Sequence, residues 1–64
     1  MISYKPLLHL LVERNLKLTN VITEAGLSRR IVTLINNNKN MTLKTIEKIA
    51  KYLNVNIGDI VKIE

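Results

Sequence analysis

Arg29 and Arg30, adjacent and framed by Ser28 and Thr33, are the residues of this chain best suited to chemistry, and that chemistry is recognition. An arginine bonds bidentately to guanine O6 and N7 or clamps a phosphate. The plainer alternative is a pair of solvated charges at a helix start. That placement is adverse, because cations sit poorly at the positive end of the helix dipole, so it invites a functional account. Lys17, Asn37, Asn38 and Lys39 flank the pair in sequence. Each reads either as a solvated loop position or as a contact to a sugar-phosphate backbone. Other chemistry is poorly provided for. His9 is the lone histidine, set among leucines with no carboxylate near it, and reads as a surface or boundary residue rather than a ligand. Glu13, Glu24, Glu47, Asp59 and Glu64 are scattered, and Gly26 and Gly58 form no phosphate-cradling loop. No catalytic residue, metal site or cofactor is expected, and so short a chain hardly encloses a pocket for a small-molecule ligand.

The elements that must position the arginines lie between Leu16 and Asn37. Val21 and Ala25 are one helical turn apart and share a face. Gly26 follows, the residue that ends a helix in left-handed backbone without steric cost. Leu27 can return to the core, and Ser28 is a good N-cap for the next turn. Val32 and Ile35, spaced i, i+3, then bury one face of a short helix and turn Ser28, Arg29, Arg30 and Thr33 outward. Two short helices joined by a glycine turn, with arginines on the free face of the second, make a helix-turn-helix of the kind that reads duplex DNA.

Around that unit the pattern predicts a first helix from about Pro6 to Arg14, proline suiting the first turn, with Leu7, Leu10 and Leu11 inward and Leu16 closing the turn beyond. The motif helices span about Leu18 to Ala25 and Ser28 to Asn36. Asn36 to Asn40 form a polar connector. Thr42 caps a fourth helix whose Leu43, Ile46, Ile49, Ala50 and Leu53 repeat at helical spacing, with Glu47 set to pair with Lys51 and Asn54-Val55 ending it. Asn56 caps a fifth helical turn, with Asp59 as the capping-box acid and Ile57 and Ile60 inward. Val61-Lys62-Ile63 alternates like Ile2-Ser3-Tyr4, which suggests a short antiparallel pair tying the two ends together.

The chain has 64 residues, no cysteine and no run approaching the roughly 20 apolar residues of a spanning helix. It reads as one domain over residues 1–64, without a signal peptide, disulfides or a membrane segment, in a reducing cytoplasmic setting. The net charge of +5 fits a polyanion-binding protein without requiring one. The hydrophobic share of 47% is high for a small domain and points to apolar surface covered by a second copy. Ile57, Ile60, Val61 and Ile63 are more than one small core needs, so a homodimer interface is expected there. Leu8, Val12, Leu18, Ile22 and Leu34 are surplus apolar residues, read as either extra core or partner surface.

On these residues the chain resembles the Cro/CI-type (XRE-like) helix-turn-helix regulators, a lambda-repressor-like group, and especially their minimal single-domain members. Leu16, Val21, Gly26, Leu27, Ser28, Val32 and Ile35 stand at the family's hydrophobic, turn and cap positions. Leu43, Ile46, Ile49-Ala50, Leu53, Val55 and Ile57-Gly58-Asp59-Ile60 are similar to its closing helices. The resemblance implies an all-α five-helix fold and a transcription regulator of the repressor type, bound to near-palindromic double-stranded DNA as a homodimer through its third helix. It implies that Ser28, Arg29, Arg30 and Thr33 face the bases, and that Asn37 and Lys39, with Asn38 beside them, hold phosphate. Lys17-Leu18 replace the Ser/Thr-Gln common at the motif start, leaving Lys17, Thr19 and Asn20 to supply charge and polar groups to the backbone. Ile22 stands where a small alanine is common, implying altered packing of the motif helices, and Asn38 replaces the glycine of the following turn. The alternative from another class is a helix-turn-helix protein-interaction module, antirepressor- or antitoxin-like, using a Leu34/Ile22 surface.

Overall fold

Helix starts and stops in this chain are set by a few small polar residues. The computed structural model describes all 64 residues, Met1–Glu64. Strand β1 (Ile2–Ser3) leads into helix α1 (Lys5–Glu13), which begins one residue before the expected proline because the Ser3 hydroxyl accepts the Lys5 N–H at 3.3 Å. Helices α2 (Leu18–Glu24), α3 (Arg30–Asn36) and α4 (Leu43–Leu53) follow, then a single 3-10 turn (Ile57–Asp59) and strand β2 (Lys62–Ile63). The count is four α-helices, not five. The expected fifth is one turn, started by the Asn56 N–H donating to Asp59 Oδ2 at 3.0 Å. It stops there because Ile60 drops into the core, its carbonyl accepting from Leu7 N–H at 3.2 Å, and the chain must then run on into β2. The strands pair antiparallel with Ile2 opposite Ile63 and Ser3 opposite Lys62, so the ribbon that joins the ends is present.

All four helices end in the same way. The residue past the last turn takes a left-handed backbone, at Asn15 (φ 58°), Gly26 (φ 79°), Asn38 (φ 52°) and Asn54 (φ 58°). After α2, Gly26 N–H bonds to the Thr23 carbonyl and Leu27 N–H to the Ile22 carbonyl, at 3.1 and 3.0 Å, satisfying the orphan acceptors of the last turn. Asparagine does this work at three of the four ends because its short side chain tolerates that conformation better than other non-glycine residues do.

The core gathers Tyr4, Leu7 and Leu11 from the N-terminal region, Val21 and Ile22 from α2, Ile31 and Ile35 from α3, Ile46, Ile49, Ala50 and Leu53 from α4, and Ile60. Four expectations change. Leu43 leads α4 but is 66% exposed, since it precedes the turn at which the helix meets the core. Leu10 is half-buried. On α3 the buried pair is Ile31 and Ile35, spaced i, i+4, with Val32 half-buried beside them. Glu47 and Lys51 make no ion pair; the pair present is Lys62–Glu64, 3.3 Å. Two side chains brace the helices: Arg14 Nη1 donates to the Leu53 carbonyl at the end of α4, 2.6 Å, and the Tyr52 hydroxyl donates to Glu24 Oε1, 2.7 Å. No helix is long and apolar enough to cross a membrane.

Candidate nucleic-acid interface

Because Ile31 and Ile35 are anchored in the core beside Val21 and Ile22 of α2, helical periodicity alone sends Arg29, Thr33 and Asn37 to the opposite side of α3. All three are exposed, as are Ser28, Arg30 and Asn36. α3 begins two residues later than its expected start at Ser28. Ser28 nonetheless organises the start, its Oγ accepting the Arg30 N–H at 3.2 Å while its carbonyl accepts from Ile31 at 3.0 Å. Neither arginine forms an ion pair, and no acid occurs between Glu24 and Glu47, a stretch that holds Arg29, Arg30, Lys39 and Lys44. The stretch that carries this face thus contributes positive charges alone. Both guanidinium groups are free to bond outward.

The flanking polar residues divide by what they already bond to. Asn37 Nδ2 donates back to the Thr33 carbonyl at 2.9 Å, which tightens the end of α3. Asn38 Oδ1 accepts the Tyr4 N–H at 3.1 Å, so half of this side chain is committed to the fold. Lys39 is exposed with an unpaired ammonium, while its carbonyl accepts from the Tyr4 hydroxyl at 2.6 Å. At the other edge Lys17 precedes α2 in extended backbone, and Thr19 and Asn20 lie exposed on its first turn. Sequence reasoning passed over Asn36, which is exposed one turn after Thr33; the i, i+3 spacing was the available signal. It also passed over Tyr4, whose partners lie 34 and 35 residues away and leave no local trace.

Among the residues expected at a dimer contact, Ile60 is withdrawn, being 0% exposed. Ile57 and Val61 are half-buried, Ile63 is 78% exposed, and Met1, at the same ribbon end, is more open still. Ile22 is likewise fully enclosed, so the Leu34/Ile22 surface of the interaction-module reading does not exist on this molecule. On α1 the exposed His9, Val12 and Glu13 border no more than a shallow, open depression. No three residues among His, Asp and Glu cluster as metal ligands would.

The Cro/C1-type HTH DNA-binding domain, as a family model, matches residues 6–64. The crystal structure of the transcriptional regulator VanUg, form II, superposes with a TM-score of 0.90 and 31% sequence identity, over 95% of this chain and 81% of that one. No curated relative matches the chain in sequence.

Proposed function

We propose, from the premise that this chain belongs to the Cro/C1-type helix-turn-helix DNA-binding family, that it is a repressor-type regulator reading a near-palindromic operator in duplex DNA. The observation that carries this reading is the α3 surface: two unpaired arginines and a free threonine opposite an anchored isoleucine pair, in a stretch without acids. A seven-residue helix with these side chains outward fits the major groove. In this reading Ser28, Arg29, Arg30 and Thr33 meet base edges. Lys17, Thr19, Asn20, Asn37, Asn38 and Lys39 meet phosphates on either side.

A single short helix makes too few contacts to discriminate a site from bulk genome. A homodimer would present two copies of α3 about 34 Å apart, one turn of duplex. The ribbon end supports such an assembly, because Met1 and Ile63 stand open beside the half-buried Val61 and Ile57. In this reading regulation follows from occupancy, a bound dimer blocking a promoter.

Selection of bound duplexes from a random pool tests the reading. One enriched motif with two inverted half-sites is the expected result; a pool without enrichment contradicts it. Sedimentation completes the test, since Ile63→Glu should give a soluble monomer that binds the selected duplex far more weakly, and a wild type that binds as one chain per site removes the dimer.

A further inference from the structure

The loop between α3 and α4 is held by a residue from the far end of the chain. Tyr4 is 1% exposed, too enclosed to touch a duplex. Its N–H donates to Asn38 Oδ1 at 3.1 Å and its hydroxyl donates to the Lys39 carbonyl at 2.6 Å. Two consecutive loop residues are thus pinned by one side chain and its own backbone. Tyr4 is itself fixed from both sides, following β1 directly and accepting the Leu8 N–H at 3.1 Å with its carbonyl. Lys39, by contrast, carries an exposed ammonium on a flexible stem with no ion-pair partner. What limits where that charge can go is the placement of its own backbone.

We propose that Tyr4 is a positioning residue for phosphate binding: by latching Asn38 and Lys39 it presents the Lys39 ammonium to the duplex backbone in a preorganised place. The inference rests on the DNA-binding reading above. Preorganisation raises affinity by reducing the ordering cost at the moment of binding, and a backbone contact carries no sequence information. The latch therefore acts on affinity for every duplex alike and leaves base preference untouched. It also reassigns Asn38, whose carboxamide oxygen serves the latch.

Tyr4→Phe keeps the ring and its burial and removes only the hydroxyl. The probes are the duplex selected by the wild type and a scrambled duplex of equal length, with melting followed separately so that affinities are compared where every variant is folded. Affinity for both duplexes should fall by the same factor, roughly two- to tenfold for one lost hydrogen bond. The slope of log affinity against log salt should flatten by up to about 0.9. Tyr4→Phe should be non-additive with Lys39→Ala, the double variant binding no worse than Lys39→Ala alone. Asn38→Gly, which keeps the left-handed turn and removes the acceptor of the other latch bond, should likewise lower affinity for both duplexes by one factor and be non-additive with Lys39→Ala.

Wild-type affinity and salt slope in Tyr4→Phe, or losses that add to those of Lys39→Ala, would reduce Tyr4 to a core residue and overturn the proposal. If in those experiments the arginine variants still lose the selected site, only the latch has failed. A wild type that selects no duplex overturns the DNA-binding reading and this inference with it.

Discussion

Helices α3 and α4 lie in the same small core and follow opposite rules. α4 is locally consistent: Thr42 caps its first turn, accepting the Thr45 N–H at 3.3 Å, Lys51 sits in its last turn where a cation is favoured, and Ile46, Ile49, Ala50 and Leu53 bury one face. α3 has seven residues, no side-chain cap from its own N-cap residue, and two arginines at the end where the dipole disfavours them. Its stability comes from Ile31 and Ile35 packing on α2 and the core, as expected of a helix too short to stand alone. The contrast teaches that local rules hold where a helix need only fold and are broken where it must present charge, which is where function is to be sought.

The largest test of this contrast is on α4. Leu53→Ala should cost about 2–5 kcal/mol in denaturant midpoint analysis, a large share of what a small domain has. A change of a few tenths would mean that α4 does not carry the fold. Next is the left-handed helix end that both regions share: Asn54→Ala should cost about 1–2 kcal/mol, because alanine resists φ near +58°, whereas Asn54→Gly should melt no lower than the wild type. Smaller and opposite in sign is the arginine pair. Relieving the dipole conflict should leave Arg29→Ala and Arg30→Ala as stable as the wild type, or more stable by about 0.3–1 kcal/mol. A loss of stability in either would make these arginines structural and erase the contrast.

The last effect shows only in alkali. The Tyr52 phenol is raised above its usual value by its hydrogen bond to Glu24, then by burial and by the charge of that carboxylate. Burial raises Tyr4. A raised folded-state pKa means a contribution fully present below the unfolded tyrosine value, about 10, and lost as pH rises through the raised value. Ultraviolet titration should show both phenols ionising later than free tyrosine, with melting temperature falling over the same range.

Much of this was legible because the decisive signals are local. Pro6, Gly26, Thr42 and the Asn56/Asp59 pair place starts and stops within a residue or two. Face assignment failed where the pattern was degenerate: Ile31, Val32, Leu34 and Ile35 put four aliphatic residues in five positions, and periodicity alone does not choose between the Ile31/Ile35 and Val32/Ile35 pairs. A count of aliphatic residues cannot tell how deeply each is enclosed, so it leaves Ile22 open between core and partner surface and assigns Ile60 both to the core and to a dimer contact, whereas both are fully enclosed. The Tyr4 latch and the Arg14 and Tyr52 braces span 28 to 39 residues, distances at which sequence spacing carries no geometry.

The central claim, that the outward face of α3 reads the duplex, is tested most directly by the ratio of affinities for the selected and scrambled duplexes in Arg29→Ala and Arg30→Ala. That ratio should fall roughly 5- to 150-fold in each variant, the equivalent of about 1–3 kcal/mol, with preference relaxed at one position per half-site. Both variants discriminating as well as the wild type would contradict the claim.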